Sequence, residues 1–263
     1  MPHRFNLPCA LVLLALCCPP AFAPQSATAQ VNIEALRSED PPLGRSGTFG
    51  GNLSVRTGNT DFVQLGLEAN LYDVTQSATR LLVGNGGLGF LGRSRFSSAG
   101  LLHYRVTFRP YRGISPEWYG QLNYDRSQLL SSRAVAGAGV RTSFASGDWG
   151  QFGAGSALML EYERLALPDT AVHPDRTTAL RWSNFLTLRL TPTENLVITS
   201  TTYYQPEFRN PADARALENL RLRTDVTESL ALVVSFDLRY DSRPPDGIAR
   251  LDTNLRTGVT YSY

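Results

Sequence analysis

The chain has 263 residues, 25 Lys and Arg against 23 Asp and Glu, and a formal charge of +2, a balance that excludes nucleic acid as an obvious partner. Its length suits one large all-β domain or two ordinary ones. The three cysteines, Cys9, Cys17 and Cys18, all lie in the first 18 residues, so the remainder must be stabilised by something other than disulfides.

The chain opens with Arg4, an apolar run from Leu7 to Cys18, and then Ala27-Thr28-Ala29, which fits the small-x-small cleavage pattern of a secretory signal. Cleavage is expected after Ala29, making residues 1–29 a signal peptide. A cut after Ala23 would leave Pro24 at the new N-terminus, a poor substrate geometry. Leu14-Ala15-Leu16-Cys17 resembles a lipoprotein signal, but Leu16 is too large to precede an acylated cysteine. The exported chain would carry no cysteine, although its compartment permits disulfides. No stretch after residue 30 approaches the roughly 20 apolar residues of a membrane-spanning helix.

Residues 30–46 contain Pro41-Pro42 and no sustained period, so they read as a periplasmic leader segment or short plug. From Gly47 the period is two, the signature of strands with one apolar and one polar face. Runs between turn signals place strands near 47–56, 61–72, 77–90, 95–108, 117–126, 132–145, 149–164, 177–190, 195–205, 215–225, 229–241 and 250–263. That makes twelve, with the third blurred by Asn85-Gly86-Gly87. Asp73-Val74-Thr75-Gln76-Ser77, Thr191-Pro192-Thr193-Glu194-Asn195 and Asp225-Val226-Thr227-Glu228-Ser229 are variants of one short turn, each closing an even-numbered strand. The connections 165–176, 206–214 and 242–249 follow odd-numbered strands and are long. Tight turns at one rim and long loops at the other match an outer-membrane β-barrel spanning 47–263.

The last thirteen residues alternate throughout: Leu251, Thr253, Leu255, Thr257, Val259, Tyr261 and Tyr263 share one face. A strand this regular should be locked into a sheet, and pairing it with the first strand would remove both edges. Tyr261 and Tyr263 are the expected C-terminal assembly signal, and deleting residues 261–263 is expected to block assembly.

A secreted soluble β-sandwich is the rival, since it also alternates. Soluble strands usually have 5–6 residues, whereas these run to about 10–15, enough to cross a membrane at a tilt. Aromatics near strand ends (Trp118, Trp149, Tyr162, Trp182, Tyr203, Tyr204, Tyr261, Tyr263) resemble interfacial girdles. The polar faces carry Arg105, Arg133, Arg141, Glu161, Glu163, Arg181, Arg189, Arg221, Arg223, Asp225, Asp237, Arg239, Asp252 and Arg256, the expected lumen-lining residues. Nine arginines against five acids predict a net positive interior. If the last hairpin is symmetric about Pro245-Asp246, Arg239 lies opposite Asp252 and Asp237 lies diagonal to Arg256.

Other constellations point to no chemistry. His103 shares the polar face of the fourth strand with Arg105 and reads as a lumen hydrogen-bonder; a lone His173 between Asp169 and Asp175 reads as a solvated loop and not a metal site. Gly137, Gly139, Gly153 and Gly155 alternate along strands with no helix after them, which rejects a phosphate loop. On an inward face they make room, expected here to be filled by lumen arginines. No catalytic residue, cofactor or metal is expected, and the protein is not expected to be an enzyme.

Gly58-Asn59-Thr60, Arg133 followed by Gly137-Ala138-Gly139-Val140, Gly153-Ala154-Gly155 leading to Glu161-Tyr162-Glu163, and Tyr240-Asp241-Ser242 with Pro244-Pro245 before Leu251-Asp252-Thr253 together resemble the domain of unknown function 481 family, the salt-induced outer-membrane proteins. The resemblance covers residues 47–263; the chain ends in Tyr263 where the family more often has phenylalanine. It implies a fold and a Gram-negative outer-membrane location, because the family's activity is itself undefined. The expected function is a narrow, anion-preferring channel for small solutes or ions; the alternatives are a closed structural or envelope-stress barrel, and the soluble sandwich acting as a binding module. The expected partners are outer-membrane lipid and the barrel assembly machinery.

Overall fold

The computed structural model describes residues 32–34, 41–58, 61–147, 149–227 and 229–261; the expected signal peptide, most of the expected leader segment and the last two residues lie outside them. Twelve strands follow one another: β1 (Gly44–Arg56), β2 (Phe62–Val74), β3 (Ala78–Leu91), β4 (Ser94–Phe108), β5 (Ile114–Asp125), β6 (Leu130–Gly147), β7 (Gly150–Leu165), β8 (Arg176–Thr193), β9 (Leu196–Pro206), β10 (Ala214–Asp225), β11 (Leu230–Asp241) and β12 (Leu251–Tyr261). Each pairs antiparallel with its neighbour in chain order, in a single sheet. No helix among the described residues is long and apolar enough to cross a membrane.

The chain follows its period-two pattern closely, with adjustments at strand ends, the end of β8 moving from 190 to Thr193 among them. β1 begins at Gly44, β5 at Ile114, and β6 extends from Leu130 to Gly147. The glycine-rich third run forms an unbroken strand from Ala78 to Leu91, with one register shift against β4 at Gly89/Phe90. There the lack of a side chain at Gly89 leaves room for the Phe96 ring. The short turns after β2 and β10 share a local cause. In each a threonine hydroxyl accepts the amide three residues on, Ala78 N to Thr75 Oγ1 at 3.1 Å and Leu230 N to Thr227 Oγ1 at 3.0 Å, a side-chain turn that reverses the strand without glycine.

The sheet curls so that opposite strands meet through their inward side chains. Arg215 of β10 reaches Glu161 and Glu163 of β7, and Gln128, in the turn after β5, reaches Asp252 of β12 at 3.5 Å. Among the described residues no backbone pair joins β12 back to β1. The first-to-last pairing is therefore absent there, and Phe49 and Leu255 of the two edge strands stand 78% and 67% exposed. Side chains that cross the interior link strands that do not pair.

Three small apolar clusters lie inside. One joins Tyr119, Val135, Ala157 and Met159, another Phe185, Tyr203 and Leu217. The third joins Tyr72, Leu81, Val83 and Leu101 of β2–β4 around Ile33, which comes from the leader. Residues 32–34 are buried inside the curled sheet, not beside it.

Candidate functional site

The interior is lined by charge, arranged as two clusters at different heights. Odd-numbered strands end at the long-loop rim and even-numbered strands at the tight-turn rim, so the first turns of β6 and β10 and the last turns of β7 and β11 lie together near the long loops. There Glu161, 1% exposed at its side chain, accepts from Arg181 Nε at 2.9 Å, from Arg215 Nη1 at 2.7 Å and from Arg133. Glu163 takes two further bonds from Arg215, at 2.9 and 2.8 Å. Asp241 and Asp213 complete the outer side, bonded to Arg215 Nε at 2.9 Å and Arg181 Nη1 at 3.0 Å. Buried charges persist only when paired and hydrogen-bonded, and each arginine here has at least two carboxylate partners.

The second cluster lies toward the tight-turn rim, at the end of β4, the start of β5 and the last third of β6. Arg105 and Arg141 converge on Glu34 of the leader, and Glu117 stands 3.5 Å from Arg105 and 3.8 Å from Arg141. Arg105 lies over the Tyr119 ring, 5.2 Å from its centroid, and Arg141 over Phe185 at 5.6 Å. These faces attract the guanidinium groups and fix their planes.

The glycines explain why the rings sit there. A Cβ at Gly137 would collide with the Tyr119 ring, and one at Gly155 with Phe185. The expectation that arginines fill the space at Gly137, Gly139, Gly153 and Gly155 is corrected: rings fill it at Gly137 and Gly155, Ser156 O and Ala157 at Gly139, and Thr187 at Gly153, while Arg105 and Arg141 rest on the rings. Tyr203, assigned above to the interfacial girdle, points inward instead, 7% exposed and tilted against Phe185 at 5.4 Å.

The sequence-assigned lumen residues divide by exposure. Arg105, Arg133, Glu161, Glu163 and Arg181 are buried; Arg141 is largely so, its side chain 18% exposed. Arg239 meets Asp252 directly across the β11–β12 ladder, and Arg256 reaches diagonally to Asp237 at 2.6 Å. Arg223 turns to Asp225 on its own strand at 2.9 Å; Arg189 and Arg221 occupy the same inward face, opposite Thr199 of β9. Tyr261 pairs with Leu230, and Tyr263 lies outside the described residues.

The sequence reading missed several interior charges. Arg215 brings the counted arginines to ten, while Glu34, Glu117, Asp125, Asp213 and Asp241 bring the acids to ten. The strong positive excess expected for the interior is thereby corrected to near balance. Glu117 and Asp125 were legible, since they alternate with Trp118, Gly120, Leu122 and Tyr124 along β5. Glu34 was not, because nothing in an aperiodic leader signals which residue will enter a sheet.

His103 is 1% exposed, bonded through Nδ1 to Gln121 Oε1 at 3.1 Å and stacked on Tyr119 at 5.7 Å. Around His173, the carboxylate that approaches is Asp246 of the loop between β11 and β12, which accepts the Val172 and His173 amides at 2.6 and 2.9 Å. Among the described residues no group of three His, Cys, Asp or Glu is placed to hold a metal ion. Between the two charged clusters lies a cavity of about 40 Å³, bordered by Ile33, His103, Arg105, Tyr119, Arg133 and others. That is room for about one to three waters.

Among solved structures, the beta domain of the Bordetella autotransporter BrkA is similar at 13% identity and TM-score 0.37, over 83% of this chain and 98% of that one. A Pseudomonas aeruginosa FadL homologue is similar at 11% identity and TM-score 0.34, over 82% of this chain and 72% of that one. Neither likeness is close enough to carry an argument about this chain. No curated protein matches it. Residues 48–263 match the family described as "Protein of unknown function, DUF481", a match over most of the chain, and the protein belongs to that family.

Proposed function

We propose that this protein is an integral barrel of a Gram-negative outer membrane, exported by a signal peptide that is then removed, with an interior closed at rest and no catalytic role. The observation that carries this reading is the inversion of the two faces. Charges are buried inside, while Trp118, Leu122, Leu158, Leu160, Trp182 and Leu186 point outward, each between 44% and 59% exposed. Soluble monomers rarely leave apolar surface on this scale in water; lipid is the solvent that suits it. The closed state rests on the filled interior, where paired arginines and carboxylates border small cavities, about 40 Å³ between the clusters and about 50 Å³ beside Arg215 and Arg239.

The test is fractionation with heat-modifiable gel mobility. The protein is expected with the outer membrane, migrating faster before boiling than after. Recovery as a soluble periplasmic monomer overturns the reading.

A second reading, a narrow path for small anions, is favoured by the tight-rim half of the interior, where Arg189, Arg221 and Arg223 share the inward face with Asp225 as the nearby acid. In a planar bilayer this predicts rare, small conductance steps that prefer anions. Cation preference across a salt gradient refutes the anion path, and steady silence leaves the closed barrel alone.

A further inference from the structure

Arg105 and Arg141 are held in place by the sheet, yet the carboxylate they share comes from outside it. Their guanidinium groups rest on Tyr119 and Phe185, rings seated over Gly137 and Gly155. These seats are built from sheet residues alone, an arrangement that would organise the pair before an anion arrives.

The sheet's own acid neutralises only one of the two charges. Glu117 stands 3.5 and 3.8 Å from the arginines and is also held by Thr107 Oγ1 at 3.5 Å. One further negative charge is needed, and Glu34 supplies it. Arg141 grips that carboxylate with both prongs, Nη2 to Oε2 at 3.1 Å and Nη1 to Oε1 at 3.3 Å, the two-point geometry by which arginine recognises carboxylates. Arg105 bonds the same group.

Besides Glu34, the described leader residues meet the sheet through their side chains. Among the described residues, 32–34 join no strand. Ile33 packs against the apolar patch of β2–β4, and Asn32 Nδ2 donates to Thr201 O at 2.9 Å. Beside the site, Arg105 Nε and His103 Nε2 are buried without a hydrogen-bond partner among the described residues. Both residues border the 40 Å³ cavity, so polar groups remain for a ligand that extends past its carboxylate.

We propose that Arg105 and Arg141 form a binding site for one small carboxylate anion, which the chain fills with Glu34 as an exchangeable internal occupant. The inference deepens the anion-path reading, because the site lies in the tight-rim half of the interior. Its test reads binding, whereas that reading is tested by conductance, so the two can fail separately.

Glu34→Ala removes a side chain whose lost atoms are matched by acetate, which serves as the probe. In detergent-refolded protein, carbon-13 acetate is expected to bind E34A saturably and at least about tenfold more tightly than wild type, because a tethered competitor acts at an effective concentration on the order of millimolar. Acetamide, uncharged and of similar shape, should not bind, and adding Arg141→Ala to E34A should abolish acetate binding. If E34A does not assemble in plain buffer, it is expected to assemble when refolded in acetate but not in acetamide. The proposal is overturned if E34A binds acetate no better than wild type, if the E34A/R141A double variant binds equally well, or if acetate fails to restore assembly to an E34A chain that cannot assemble alone.

Discussion

Glu161→Gln tests whether the buried ion network holds the curl of the sheet. The substitution keeps the shape of the side chain but places an uncharged amide among three guanidinium groups, in a position 1% exposed. Three charge-assisted hydrogen bonds at about 1.5–3 kcal/mol each would set a high ceiling. The actual loss is smaller, because Arg215 keeps Glu163 and Asp241, Arg181 keeps Asp213, and Arg133 keeps Glu163. The cost should therefore be that of breaking one buried pair, about 3–5 kcal/mol. With a urea dependence of about 2 kcal/mol per molar, the unfolding midpoint falls by roughly 2 M. The assay is a urea titration in detergent micelles, read by the folded and unfolded gel bands. Asp237→Asn is the control: its partner Arg256 is 47% exposed, and half-solvated pairs contribute at most about 1 kcal/mol. An E161Q midpoint equal to that of wild type, or no lower than that of D237N, would refute the claim that the interior network closes the sheet.

Two further outcomes follow from particular contacts. Gly155→Ala should push Phe185 off its seat and loosen Arg141 above it, lowering stability by about 1–3 kcal/mol; an unchanged urea midpoint would show that the ring yields freely. At the long-loop rim, the amides of His173 and Val172 hold the Asp246 carboxyl below its usual range. A depressed carboxyl stabilises the clasp fully above its ordinary pKa and loses that effect as pH falls through the lower, folded value. The protection of the Val172 and His173 amides, measured against their intrinsic exchange rate at each pH, should accordingly be full at neutral pH and fall only in acid, and Asp246→Ala should remove it at neutral pH. Protection that survives D246A would assign it to another contact.

Much of this protein can be read from its alternation. Period two along residues 251–261 or 230–241 states which side chains share a face, and the unequal connections state which strand ends share a rim. Those rules are local, since the pleat and a short turn depend on neighbours in the chain. They also locate contacts between adjacent strands, so Arg239 opposite Asp252 needs only the hairpin register.

What the period cannot state is which residues meet across the interior. Arg215 finds Glu161, 54 positions away, only because the curl and stagger of the sheet bring β10 over β7, and those are properties of all the strands together. Tyr119 and Phe185 are the register partners of Gly137 and Gly155, so register reaches those ring contacts, but the same limit holds for Arg141 of β6, which rests on Phe185 of β8. It holds most strongly for Glu34. Its own surroundings in the sequence carry no signal, and its place is decided by two arginines, 71 and 107 positions away, that leave one charge unbalanced once the sheet has curled. A buried charge must find its counter-charge wherever the fold supplies it, and that requirement is met in space, not along the chain.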